Sequence, residues 1–324
     1  MKNWIGSGMT CVLLLAATSD APAQDKPQPA APAAAAQRTF ETPKAAADAL
    51  IAAAEAYDVP ALKAILGPDS NSLIETKDPV QSKNQFASFS VEAREKTEIV
   101  PDAKNPNLAI LSVGKGDWPL PIPIVRKAGK WSFDSKAGKR EVLFRRIGRN
   151  ELDAIEVCRE YVDAQHEYAL AKHDGSSVNQ YAQKIISTPG KHDGLAWRNA
   201  DGTEGGPISE TVADAIAEGY TKKSDPLHGY YFKVLKGQGS AAPLGKMDFV
   251  VKGVMIGGFA LAAAPSDYRV TGVMTFIVSH DGIVYQKDLG PKTLEIFQKM
   301  ERYDPDKTWS KVEDPAESTE TTAK

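Results

Sequence analysis

Residues 150–172 limit the possible folds more than any other stretch of this chain. Leu152, Ile155, Cys158, Val162 and Ala169 recur there at helical spacing, and Asp153, Glu156, Glu160, Asp163 and Glu167 form an acidic stripe on the other side. A long helix that is apolar on one face must lay that face on another element. The sequence downstream supplies one: strand-like runs at 228–234, 259–263, 272–278 and 283–286, with Asp281-Gly282 predicting a two-residue hairpin turn between the last two. Residues 207–219 read as a further helix and 292–300 as a short closing one. One long helix followed by an antiparallel sheet is an α+β plan.

The first half repeats that order. Thr42 predicts an N-cap with Pro43 just inside the helix, and Ala46, Leu50, Ile51 and Ala54 supply its apolar stripe. Asp58 opens a second helix with Pro60 near its start and Leu62, Ile65 and Leu66 facing inward, and Gly67-Pro68 stops it. A third helix is expected near 80–93, and strands at 108–113, 118–125 and 130–134. Pro119, Pro121 and Pro123 lack the N–H that a central strand needs, which confines the middle run to a sheet edge or a bulge. The expectation is two α+β domains, at 39–140 and 148–301, joined near 140–149.

Both ends differ from this body. Lys2 precedes an apolar stretch at 4–17, and Ala21-Pro22-Ala23 fits a signal-peptidase site, so residues 1–23 read as a signal peptide and the mature chain starts near Gln24. The apolar stretch is short of the roughly 20 residues of a comfortable membrane helix, which favours cleavage over an uncleaved anchor. Residues 24–38 read as a Pro/Ala-rich linker and 302–324 as a loose tail, within which Trp309 argues for a docking point on the body. The expected location is therefore periplasmic or extracellular, with no stable membrane span after cleavage. Cleavage also removes Cys11 and leaves Cys158 as the single thiol, so no disulfide and no Cys-based zinc site can form. With 324 residues, 42% hydrophobic, 25% charged and a formal charge of -3, wholesale disorder and a polytopic membrane protein are excluded, and nothing electrostatic points to nucleic acid.

Several segments together carry a resemblance. They are Ile147-Gly148-Arg149-Asn150-Glu151-Leu152, Tyr161-Val162-Asp163-Ala164-Gln165, Ser187-Thr188-Pro189-Gly190-Lys191-His192-Asp193-Gly194, His228-Gly229-Tyr230-Tyr231-Phe232, and Gly272-Val273-Met274-Thr275-Phe276 with Asp281-Gly282-Ile283-Val284-Tyr285. In this order they resemble the exported bacterial proteins grouped as domain of unknown function 2950, over about residues 40–304. That resemblance implies an envelope protein of no established activity, with no catalytic residues to carry over. The helix order and Gly129-Lys130-Trp131-Ser132-Phe133-Asp134 of the first half resemble nuclear-transport-factor-2-like domains, which implies a cavity between helices and sheet. Asn150-Glu151, Ala164-Gln165 and the Gly-Tyr-Tyr-Phe strand of the second half resemble a pseudopilin globular head. Arg145-Arg146-Ile147-Gly148-Arg149 stands where a pilin has its apolar stalk, so only the head is shared.

All five histidines lie in the second half, and three begin His-Asp-Gly, at 173–175, 192–194 and 280–282. One reading builds a metal or acid–base centre from His192, His228 and His280 with Asp193 and Asp281, since imidazoles titrate near neutrality and ligate zinc. The other, which the sequence favours, is that Asp-Gly makes turns. No metal ligand set and no cofactor is assigned: Ser187-Thr188-Pro189-Gly190-Lys191 lacks phosphate-loop spacing, and residues 253–258 are not a dinucleotide fingerprint. Lys139-Arg140 and Arg145-Arg146-Arg149 form a basic joint that suits either an anionic envelope polymer or pairing across the domain junction. Cys158 is expected as an inert core residue. The favoured function is a non-enzymatic interaction or assembly module of the cell envelope, with envelope proteins as partners. The alternatives are a metal-assisted hydrolase using those histidines, and a small-molecule binder using the first domain's cavity.

Overall fold

Thr42 and Asp58 set the first two helices. In the computed structural model, which describes residues 37–75, 79–209, 213 and 226–313, the Thr42 hydroxyl accepts the Ala45 amide at 3.1 Å and starts α1 (Pro43–Glu55). Asp58 accepts the Ala61 amide at 3.0 Å and starts α2 (Val59–Leu66). Leu62, Ile65 and Leu66 are buried as their spacing predicts. A single turn, α3 (Asn71–Ile74), leads to α4 (Pro79–Glu95), whose buried residues are all small: Ser82, Ser90 and Ala93. Against these helices lies an antiparallel sheet of β1 (Thr97–Pro101), β2 (Leu108–Val113), β3 (Trp118–Pro119), β4 (Ile124–Lys127) and β5 (Lys130–Phe133). The strand order is β1-β2-β4-β5, with β3 also paired to β2. β1 has no counterpart in the sequence reading, because its alternation is masked by exposure on both faces. The run expected as one strand over 118–125 is split into β3 and β4, with the three prolines in and between them.

The principal correction concerns the long helix. α5 spans Ser135–Tyr168, 34 residues or about 50 Å at 1.5 Å per residue, instead of starting at Asn150. Asp134 is the cap, its carboxylate accepting the Ala137 amide at 2.9 Å. The stretch expected as a joint at 140–149 is therefore helical, and its one weak helix former, Gly148, costs only about 1 kcal/mol, too little to break a helix packed at both ends. Leu152, expected to face inward, is 67% exposed. Ile155, Cys158 and Val162 are buried as expected, and Ala154, Tyr161, Gln165 and Tyr168 complete the buried face.

One hydrophobic core is built by residues that precede α5, from Phe40 to Phe133, and a second by α5 and the elements C-terminal to it. After α5 come β6 (Lys184–Ile186), β7 (Gly194–Arg198) and β8 (Glu204–Gly205), with β6 and β7 parallel. Next in the chain are β9 (Tyr230–Leu235) and two ribbons, β10 (Gly237–Gln238) with β11 (Met247–Asp248) and β12 (Val250–Val251) with β13 (Val254–Met255). The chain closes with β14 (Ala260–Pro265), β15 (Met274–Ser279), β16 (Tyr285–Asp288), α6 (Thr293–Lys299) and β17 (Ser310–Lys311). The main sheet has the order β17-β16-β15-β14-β9 and is antiparallel throughout. Every residue of β14 is buried, and its alanines let α5 and α6 approach closely. The protein is thus α+β, as expected.

Two further expectations change. The β15–β16 hairpin forms, but pairing begins at Ile277 and Tyr285, so its connection is longer than two residues, and Asp281-Gly282 completes a turn from Ser279 within it. Residues 302–313, read as tail, belong to the fold: Tyr303 is fully buried, Arg302 bonds Asp248 and the Met247 carbonyl, and β17 pairs with β16. The leader, most of the linker, most of the helix expected at 207–219 and residues 314–324 lie outside the described residues. Among the described residues no helix is long and apolar enough to cross a membrane.

Candidate functional site

The residues that α4 buries fully are all small, and Phe86 and Phe89 pack only partly buried against the core, so space remains beside the helix. The result is a cavity of about 290 Å³ in the first body. It is lined by Leu50 of α1, Leu66 of α2, Leu73 of α3, Phe86 and Phe89 of α4, Trp118 and Ile122 of the sheet side and Val142 of α5. Gln85 is the one polar residue of the lining, so the space is apolar and open at one side. Phe86 also meets Tyr57 ring to ring, with centroids 5.9 Å apart, which ties α4 to the end of α1.

The five candidate residues, His192, His228, His280, Asp193 and Asp281, occupy three different places. His192 stacks on Trp197 with ring centroids 4.5 Å apart, and its amide is held by the Asp174 carboxylate at 2.9 Å. His173 stacks on Tyr168 at 3.9 Å and lies 6.5 Å from His192, so two of the three His-Asp-Gly triplets interlock at the end of α5. His192 and Trp197 also line an open groove of about 710 Å³ with Thr188 and Lys191. His228 is elsewhere, its Nδ1 3.1 Å from Asp153 of α5. His280 sits edge-on to Phe249 and Phe259, with a buried Nδ1 that has no hydrogen-bond partner among the described residues. Among the described residues no three His, Cys, Asp or Glu side chains stand together in a way that could hold a metal ion.

The aspartates of the triplets act on the backbone. Asp193 accepts the Thr188 amide at 2.7 Å and the Lys184 ammonium at 2.9 Å. Partial burial opposes its charge, but the Thr188 amide, the Lys184 ammonium and the Thr188 hydroxyl outweigh that and hold its pKa at about 2. Asp281 accepts the Ile283 amide and the Ser279 hydroxyl, both at 3.1 Å. This is turn chemistry, the second of the two readings. Cys158 is buried in the core, and desolvation pushes its thiol up to about 12, which makes it inert as expected.

The other motif residues are clamps as well. Asn150 donates to the Thr271 carbonyl at 2.8 Å, and Glu151 accepts the amides of Val273 and Met274 at 2.8 and 3.0 Å. Gly229 lies against both Asn150 and Thr271, where a Cβ would come within 2.8 Å of each. Gln165, fully buried, bonds both the amide and the carbonyl of Ala182 and the Tyr161 hydroxyl. Segments far apart in sequence therefore meet in space, and they do so to tie α5 to the loops around its sheet. Residues 37–312 match the sequence profile of a family described as a protein of unknown function, DUF2950. The chain belongs to that family. No curated protein and no solved structure matches it.

In this DUF2950 protein, sequence reasoning implied a cavity but named no residue of it. The usable signal lay in α4, where Phe86 and Phe89 are the only aromatic residues on a helix that otherwise offers Ser82, Ser90 and Ala93 to the core. The basic joint is likewise resolved into single contacts. Arg145 bonds Glu141 and the Pro119 carbonyl, and Arg146 bonds the Val270 carbonyl across to the second body.

Proposed function

We propose that this protein is an exported, non-enzymatic binding module of the cell envelope, and that the cavity of its first body takes a small apolar molecule. The observation that carries the reading is the cavity itself, apolar on every wall apart from Gln85. At about 290 Å³ it is near the lower end of ordinary ligand pockets, which start at about 300 Å³. It is also about twice the size of a cavity known to hold benzene, which scales to a ligand of roughly 12 non-hydrogen atoms. Export rests on Lys2, the apolar stretch at 4–17 and Ala21-Pro22-Ala23. Envelope proteins are the partners this location implies.

The test uses the mature chain and an environment-sensitive apolar dye. Binding should be saturable and lost in Leu73→Trp, which puts an indole into the cavity that Leu73 of α3 lines, while far-UV circular dichroism stays unchanged. Undiminished dye binding by a folded Leu73→Trp variant overturns the assignment. Fractionation of cells producing the full chain, with N-terminal sequencing, tests export: a start near Gln24 in the envelope fraction supports it, and an intact Met1 in the cytoplasm refutes it.

A further inference from the structure

On the far side of the proline strap the sheet and α5 leave a second recess, and we propose that it binds a free fatty acid, with the carboxylate on Arg140 and the hydrocarbon chain along Phe144 and the outer face of β2. β2 alternates: Ala109 and Leu111 are buried in the core, and Leu108 and Ile110 line the groove on the opposite face, which has a volume of about 480 Å³. Phe144 forms the α5 side of the groove and is 61% exposed. A large aromatic side chain so exposed beside half-buried Leu108 and Ile110 is an apolar surface awaiting cover.

The charge at the rim selects the head group. Arg140 lies one helical turn before Phe144, on the same face of α5 and in the same groove lining. It is exposed, with no ion pair and no side-chain hydrogen bond among the described residues. Its neighbour Arg145 is committed, bonded to Glu141 and the Pro119 carbonyl and lying 5.4 Å above the Trp118 ring. The rim therefore presents an uncommitted guanidinium next to an apolar trough, and this complements an anionic head on an apolar chain.

The strap decides between a peptide and a hydrocarbon. Pro119, Pro121 and Pro123 line the groove and have no N–H to give, and the Leu120 amide already bonds the Leu111 carbonyl. An acidic peptide laid here would find few partners for its own backbone, whereas an alkyl chain needs none. Arginine and carboxylate pair without covalent change, and no proton need move.

The groove and the cavity of the first body share Leu120 and Pro121, but Leu108, Ile110, Arg140 and Phe144 line only the groove and Leu50, Leu73, Phe86 and Phe89 only the cavity, so the two proposals stand apart. Calorimetric titration of the mature chain with dodecanoate, dodecanol and dodecyltrimethylammonium, each below its micelle concentration, separates them. Dodecanoate should bind tightest, and affinity should rise about fourfold per added methylene along a series of saturated carboxylates. Arg140→Gln should weaken dodecanoate about fivefold, the measure of one exposed ion pair, and leave dodecanol unchanged. Phe144→Ser should weaken both about tenfold. Leu73→Trp should leave dodecanoate binding intact even though it blocks the cavity. Equal affinity for the three head groups, or no effect of Arg140→Gln, overturns the proposal. So does loss of dodecanoate binding in a folded Leu73→Trp variant, which would place the chain in the cavity. Binding of anionic vesicles or of an acidic peptide without binding of monomeric dodecanoate overturns it as well.

Discussion

Two glycines in α5 should respond in opposite directions to the same substitution. Gly148 has nothing within 4 Å of the position its Cβ would take. Gly148→Ala therefore adds no contact and removes backbone freedom from the unfolded chain, and it should stabilise the protein by about 1 kcal/mol. Gly138 sits where α5 leaves the first sheet, and its Cβ would fall 2.8 Å from the Ile122 Cγ1 and 3.2 Å from the Ile122 Cα. The side-chain carbon can turn away, but the backbone carbon belongs to the strap and cannot move without it. The same gain of about 1 kcal/mol is then set against about 2–3 kcal/mol of overpacking, leaving Gly138→Ala destabilising by about 1–2 kcal/mol. The two variants should differ by about 2–3 kcal/mol in urea unfolding followed by far-UV circular dichroism. Because the protein has two hydrophobic cores, amide exchange along 138–150 is the companion measurement, reading α5 separately from either core. If Gly148→Ala lowers stability, the uninterrupted helix through 140–149 is wrong. If Gly138→Ala raises it, the close packing of α5 on Ile122 is wrong.

The clamps lead to other expected outcomes. Gln165→Leu keeps the shape but leaves the buried Tyr161 hydroxyl and both backbone groups of Ala182 without partners; at about 1–3 kcal/mol each, the three should cost about 3–9 kcal/mol together, and a loss under 1 kcal/mol in the same urea experiment contradicts the network. Asp193 has a folded-state pKa lowered to about 2 from 3.8, so its stabilising contribution is complete above the ordinary value and disappears as pH falls through the window between 3.8 and 2. A carboxyl carbon titration by nuclear magnetic resonance should show a midpoint near 2, and Asp193→Asn should flatten the acid dependence of the Thr188 amide signal. A midpoint at 3.8 would contradict the bonded loop.

Legibility differed from one element to the next. α2 could be read in full because each of its signals is local: an aspartate cap, an early proline, three apolar residues one turn apart and a terminating glycine at φ +85°. α5 was misread at both ends by the same kind of reasoning. Its polar first half, from Ser135 to Arg149, has no apolar stripe of its own, and it is helical because it is anchored at Asp134 and at the second core. Residues 302–313 look like tail by composition, yet Tyr303 and Arg302 find partners that are remote in sequence. The histidine triplets could be read as turns from the dipeptide alone, but the meeting of His173 with His192 depends on where α5 ends.

The sequence by itself determined the class of the fold, the capped helices of the first half, four strands of the main sheet, β9, β14, β15 and β16, and the family. These come from period, caps and turn residues, which act over a few residues at a time. Tertiary structure alone decided that one helix joins the two cores, that Asn150, Glu151 and Gln165 serve as clamps, and that a cavity remains under α4. Each of those depends on which distant surfaces meet, and above all on what a helix lined with Ser82, Ser90 and Ala93 fails to fill.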